Sequence, residues 1–310
     1  MSYETIATII VSLITIIAVI VTAIVVTRQE KKLHLKSSER KSSKTIEELP
    51  QHKIIPITGP ITHPKQFFGR EDILERIFSN WQELPLEHVA ITGPEGSGKT
   101  SLLNYLRLIH NCNDLRKEQR NNWLEQKYNF MSVDFENIAV HSLEGFLRYV
   151  LKELNLHSNT KDLDDLTETL NNSLNRPTII LMDNIEFGLE ISELDKRFWQ
   201  YIRYLGNKNS NLGFCITSNI PIEDLNKWAE EIGKTSPAFN IYEDIKLEPL
   251  TENEAQEFLN YVPFSQSDKE WILEKGQRWP ALLQIFCKVR FDYKDDWKEI
   301  GLKQIKRLSL

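Results

Sequence analysis

The chain predicts an α/β fold: a parallel sheet flanked by helices, a small C-terminal α-helical lid and one N-terminal transmembrane helix. Short apolar runs at 87–92, 128–135, 177–183 and 213–218 alternate with helical stretches, the pattern of parallel strands joined by helical crossovers. From residue 250 onward the apolar spacing is helical alone. Residues 5–26, TIATIIVSLITIIAVIVTAIVV, contain no charge, Pro or Gly, and about 20 apolar residues suffice to cross a bilayer as a helix.

Residues 1–27 therefore read as a transmembrane anchor. A cleaved signal peptide would carry a basic leader and a shorter apolar stretch, whereas only Glu4 precedes this run. Arg28, Lys31, Lys32, Lys36, Arg40, Lys41 and Lys44 follow it, against Glu30 and Glu39. Excess Lys and Arg marks the cytoplasmic flank, so the expected topology is single-pass, with the N-terminus outside and the body in the cytoplasm. Residues 28–64 have the polar, basic composition of a linker, which would span roughly 35 Å as a coil. Residues 65–249 form the expected sheet domain and 250–310 the lid.

Composition narrows the chemistry. Lys and Arg number 38 against 44 Asp and Glu, a net charge of -6, which argues against nucleic acid as a partner. Cys112, Cys215 and Cys287 are far apart and lack metal-ligand or redox spacing, so buried thiols are expected. The seven histidines show no HExxH or paired pattern.

The run 87–92 leads directly into Gly93, Pro94, Glu95, Gly96, Ser97, Gly98, Lys99 and Thr100, with Ser101 opening a helical stretch to residue 109. This is GxxxxGK[ST] between a strand and a helix, the P-loop of nucleoside triphosphatases. The glycines let the backbone close around phosphates, whose charge meets N–H groups at the positive end of the next helix. Lys99 is expected to reach the β- and γ-phosphates and Thr100 to ligate Mg2+. A second apolar strand, PTIILMD at 177–183, ends in Asp183, which is expected to hold Mg2+ through its water shell. Just beyond lie Asn184 and Glu186; Glu186 is the candidate base for the attacking water. Asp134 and Asn219 end the two other strands, and Asn219 is a candidate sensor of the γ-phosphate. Asp134 reads more simply as a turn former.

With these motifs in view, the chain resembles the bacterial STAND-type branch of the AAA+ and related P-loop ATPases. Phe67-Phe68-Gly69-Arg70-Glu71 is similar to the family's FxGRexEl segment, whose backbone lies along adenine. The resemblance thus implies nucleotide-binding roles for Phe68, Gly69 and Arg70. GPEGSGKTS at 93–101 and TIILMDNIEF at 178–187 match Walker A and Walker B in order and spacing. LEPLTENEA at 247–255 and GQRWPALLQ at 276–284 are similar to the family's lid motifs, which implies that Pro280 lies against the base. Asn184 stands where many relatives carry a second acid, Asn219 where many carry an arginine; Arg278 is the remaining candidate finger or sensor. Relatives usually add sensor repeats or an effector domain, and the membrane helix occupies the place of such a module.

The resemblance, together with the apolar run 5–26, implies a membrane-anchored regulatory ATPase that binds ATP and Mg2+, closes its lid on ATP and reopens it by slow hydrolysis or exchange to ADP, giving two states that a membrane or protein partner reads; self-association is also expected. The alternative is a nucleotide-holding scaffold without turnover, favoured by Asn184 at the Walker B tip. A loader acting on DNA fits the acidic composition poorly.

Within the lid, helices are expected at 251–262, 267–275, 280–290 and 297–308, with Thr251 and Glu254 as a capping box. Phe258, Trp271, Trp279, Phe286 and Trp297 are expected in its core. The polar stretch 111–127 reads as an insertion.

Overall fold

A computed structural model of the chain describes residues 58–110, 112, 128–156, 160, 162–234 and 239–308. The expected anchor at 5–26, the linker up to residue 57 and the stretch 111–127 apart from Cys112 lie outside the described residues. Among the described residues no helix is long and apolar enough to cross a membrane.

Five strands build one sheet: β1 His88–Thr92, β2 Asn129–Asp134, β3 Thr178–Asp183, β4 Leu212–Ser218 and β5 Tyr242–Lys246. Their order is β2-β3-β4-β1-β5, and every neighbouring pair is parallel. β1, β3 and β4 are buried at every position, which explains their nearly unbroken apolar composition. β5, sequence YEDIK, was not expected, because an edge strand needs little apolar surface. Its acids are used locally: Glu243 accepts hydrogen bonds from Arg76 and Asn80, and Asp244 accepts one from Thr92 Oγ1 at 2.6 Å.

Successive strand side chains alternate between faces, and each face carries its own core. Val89, Ile91, Ile179, Leu181 and Cys215 pack against α1, Glu71–Ser79, and α2, Lys99–Ile109. Ala90, Ile180, Met182, Phe214 and Ile216 face α3, Leu143–Glu153; α4, Leu163–Ser173; and α6, Lys196–Lys208. Two shorter pieces complete this layer, α5, Ile185–Glu190, and α7, Ile222–Glu231. Trp81 and Trp199 are fully buried, one per core, and each contributes roughly 4 kcal/mol if burial of 150–250 Å2 is weighted at about 25 cal/mol/Å2.

The lid comprises α8, Glu252–Asn260; α9, Gln266–Gly276; α10, Pro280–Asp292; and α11, Trp297–Leu308. The Thr251 and Glu254 capping box is formed. Phe258, Phe286 and Trp297 are buried in the lid core with Trp271 packed against it. Trp279 departs from expectation: it is the half-buried N-cap of α10, where the chain must leave the helix path before Pro280. All three cysteines are free and buried.

Register sets the level of the strand ends. Asp134 lies beside Asp183, and Thr92 beside both Ser218 and Lys246. These tips share the carboxyl edge where ligands bind in open α/β sheets. Because β4 lies between β1 and β3, its tip separates the P-loop from Asp183.

Candidate functional site

Between β1 and α2 the chain makes a tight loop that only glycine accommodates at two points. Gly98, the N-cap of α2, has φ 97°, a left-handed conformation that other residues adopt at a cost. At Gly93, φ 154°, an added Cβ would stand 3.0 Å from Ser97 Oγ and 3.1 Å from the carbonyl of Leu247. The following helix opens at Lys99, so the N–H groups of its first turn lack intrahelical acceptors and point toward the loop. A cleft of about 730 Å3 lies over this turn, within the size range of small-molecule sites. Glu95, Gly96, Gly98, Lys99, Thr100 and Ser101 form its floor, Asp134, Asp183, Asn184 and Asn219 its far wall, and Pro280, Ala281 and Gln284 its roof.

Lys99 is buried to 8% exposure, and its ammonium is fully engaged: Nζ donates to Gly93 O at 2.7 Å, Pro94 O at 3.0 Å and Asn219 Oδ1 at 2.7 Å. Burial lowers its pKa, opposed by the carboxylates of Glu186, Asp183 and Glu95. Asp183 is also buried, which raises its pKa, against hydrogen bonds from Thr217 and Thr100. Thr217 Oγ1 donates to Asp183 Oδ1 and itself accepts from Asn184 N at 3.0 Å, tying the tips of β3 and β4 together.

Asn219 and Glu186 form a pair at the tip of β4. Glu186 Oε1 accepts from Ser218 Oγ at 2.8 Å and from the backbone N–H of Asn219. Its Oε2 is buried without a partner among the described residues, and Glu186 does not line the cleft. Asn219 lines it and holds Lys99. Asn184, left-handed at φ 57°, turns its side chain toward β2 and donates to Asp134 Oδ1 at 3.1 Å.

Phe68, Gly69 and Arg70 are not among the cleft residues. They join the loop to the lid instead. Arg70 Nη2 donates to Ser97 O at 3.1 Å and Glu248 O at 2.7 Å, while the Arg70 backbone N–H bonds Glu254. Phe68 packs edge-on against Phe258, ring centroids 5.5 Å apart. The cleft wall on that side is Thr58, Gly59 and Pro60, held by Ile61 N donating to Ser101 Oγ at 3.3 Å. Pro280 closes over Gly98, and Ala281 N donates to Gly96 O at 3.2 Å, so the lid is seated on the loop. Arg278 points no group at the cleft; its carbonyl accepts from Leu250 N at 3.0 Å. The Thr58 to Pro60 segment and Gln304 of α11 are cleft residues without an expected role, and Asp134, expected as a turn former, accepts from Glu136 N at 3.0 Å and also lines the cleft. The pairing of Asn184 with Asp134 depends on the register of β2 against β3, which neither segment's own sequence carries.

The donor set suits a nucleoside triphosphate with Mg2+. Free N–H groups at a helix start, an ammonium and left-handed glycines fit phosphates. Ser97 Oγ, fully buried and without a partner among the described residues, stands inside the loop. Among those residues no cluster of three His, Cys, Asp or Glu could cage a metal ion. Thr100 and Asp183 would hold Mg2+ together with phosphate oxygens and water, which is how this ion is usually bound.

Comparison with known proteins agrees with this geometry. Residues 85–220 match the family described as AAA domain. The Walker-type ATPase of Pyrococcus abyssi superposes with a TM-score of 0.58 at 17% identity, covering 81% of this chain and 75% of that one. AMPPCP-bound DnaA from Aquifex aeolicus gives 0.48 at 14% identity, over 82% and 71% of the two chains. The Aeropyrum pernix ORC1 protein in complex with DNA gives 0.48 at 12%, over 76% and 60%. No curated protein matches the chain. The fold is similar to that of the Walker-type ATPase, and the stretch that matches an AAA domain runs from just before β1 to just past β4.

Proposed function

We propose that this protein is a membrane-anchored regulatory ATPase that binds ATP with Mg2+ and reads its own nucleotide state through the lid. The observation that carries the proposal is the convergence of Lys99, Thr100, Asp183 and Asn219 on one cleft whose roof, Pro280 and Ala281, is seated on the P-loop. Bound Mg2+ would neutralise charge on the terminal phosphates. The chain's own residues supply the rest. The first-turn N–H groups of α2 hold the phosphates, Lys99 exchanges its acceptors for phosphate oxygens, and Asn219 is freed when Lys99 leaves it. Glu186 acts as a positioning residue that fixes the Asn219 backbone. Loss of the γ-phosphate returns Lys99 to Asn219, and the Ala281 to Gly96 bond couples that loop to the lid.

The apolar run 5–26 and its basic flank support a single-pass anchor with the ATPase in the cytoplasm. Self-association is part of the proposal: among the described residues lining the cleft Lys99 is the one cation, leaving room for an arginine from a neighbouring copy. A nucleic-acid partner is not part of it, since 44 acidic residues face 38 basic ones.

A second reading, a scaffold that holds nucleotide without turnover, is favoured by the amide of Asn184 at the Walker B tip and by Glu186 lying off the cleft. Turnover and bound nucleotide, measured together on the full chain in mild detergent, separate the two. Phosphate release abolished by Lys99→Ala supports the ATPase; retained nucleotide with release no faster than in Lys99→Ala supports the scaffold.

A further inference from the structure

Asp134, at the end of β2, is a carboxylate without a part in the P-loop motifs. Register sets it level with Asp183, one strand spacing of about 4.8 Å away. Its side chain is held in one orientation: Oδ1 accepts from Asn184 Nδ2 at 3.1 Å and from the Glu136 backbone N–H at 3.0 Å. Among the described residues nothing bonds Oδ2, and the residue is exposed on the wall of the cleft that also contains Lys99 and Thr100.

The other acids at this edge are placed for different work. Asp183 is buried and bonded by Thr217, which suits a group that faces a cation. Glu186 does not line the cleft, and its Oε1 is spent on Ser218 and Asn219. Glu136 lines the cleft, but no hydrogen bond among the described residues orients its carboxylate.

Resting on the ATPase reading, we infer that Asp134, held by Asn184, orients and deprotonates the water that attacks the terminal phosphate. The water oxygen forms the new bond to the terminal phosphorus. The bond from that phosphorus to the β,γ-bridging oxygen breaks, its electron pair leaves with ADP, and the water proton passes to the Asp134 carboxylate. Acid and amide have thus exchanged strands: the amide follows the Walker B aspartate, and the acid stands on the neighbouring strand. This resolves the difficulty raised by Asn184, because an amide there is a partner for the base rather than a missing base.

The test compares Asp134→Asn, Asp134→Glu, Glu186→Gln, Glu136→Gln and Lys99→Ala in the full chain in detergent. Affinity is read with a fluorescent ATP analogue and Mg2+, and turnover by phosphate release. Asp134→Asn is expected to keep affinity within about threefold and lose about 100-fold or more in turnover, with partial recovery in Asp134→Glu. Turnover near the wild-type rate in Asp134→Asn overturns the inference, as does its loss in Glu136→Gln or Glu186→Gln with Asp134→Asn active. Loss of ATP affinity in Asp134→Asn also overturns it, assigning the residue to metal or phosphate holding. Wild-type turnover no greater than that of Lys99→Ala, with ATP still bound, overturns it and leaves nucleotide binding intact; absent ATP binding overturns both.

Discussion

The side-chain oxygen of Asn219, at the tip of β4, accepts a 2.7 Å hydrogen bond from the ammonium of Lys99, in the first turn of α2. The residue expected to sense the γ-phosphate and the residue expected to bind it are therefore joined to each other. Because Lys99 returns to Asn219 when the γ-phosphate is lost, only ATP must break this bond. Hydrogen bonds to charged groups contribute about 1.5–3 kcal/mol net, so Asn219→Ala is expected to raise ATP affinity by about tenfold or more. The preference for ATP over ADP should widen in parallel. Titration of both nucleotides checks this; unchanged ATP affinity would show that the bond does not restrain Lys99.

Arg70 is a strut between P-loop and lid rather than a cleft residue. It is 6% exposed, and its guanidinium bridges the carbonyls of Ser97 and Glu248. Truncation leaves both acceptors without their donor, and Arg70→Ala is expected to lower stability by about 3 kcal/mol in urea unfolding. Arg70→Lys should recover only part of this, because the shorter lysine stem must bring one ammonium to the place where Nη2 meets both carbonyls. A loss below about 0.5 kcal/mol would remove the strut from the account.

Asn184 is held at φ 57°, ψ 54°. Asparagine tolerates the left-handed region better than other residues with a side chain, and β-carbon crowding there costs about 1–2 kcal/mol. Asn184→Gly is expected to be tolerated in thermal unfolding, and Asn184→Ala to lose about 1 kcal/mol. Equal stability of the two variants would contradict a backbone role.

His88 gives the stability a definite pH dependence. It is buried beside Phe214, whose backbone N–H donates to Nδ1 at 3.2 Å, and burial lowers its pKa from 6.5 to about 4. The unfolded chain then binds the proton more tightly than the folded one. Stability from this group is intact above pH 6.5 and falls as the pH drops toward 4. Between pH 7.5 and 5 the loss should be about 2 kcal/mol, measured by urea unfolding. A pH-independent midpoint across that window would contradict the assignment.

The sheet and its P-loop were legible because their signals are local. GxxxxGKT between an apolar run and a helical stretch fixes strand, loop and helix together, and five successive apolar or β-branched residues before Asp183 announce a strand covered on both faces. β5 was not legible: Tyr242, Glu243, Asp244, Ile245 and Lys246 show no apolar run, and what makes them a strand is pairing with β1 and the side-chain bonds of Arg76, Asn80 and Thr92. The same limit hid the partners of Asp134, though not its place at a strand end. Its neighbourhood with Asp183 and Asn184 is a matter of strand order and register between segments some 50 residues apart, which periodicity does not encode. Arg70 was legible as part of a motif, yet its two carbonyl partners belong to the loop and the lid, and only the packed chain brings them together.

The cleft over Lys99 is proposed to bind ATP with Mg2+. Titration calorimetry of the full chain in detergent, wild type against Lys99→Ala, is the decisive measurement. Saturable binding at one site is expected, dependent on Mg2+ and weakened about 10-fold to 100-fold by Lys99→Ala, the loss of one charge-assisted contact to phosphate. Absence of binding by the wild-type chain, or equal binding by both, would contradict it.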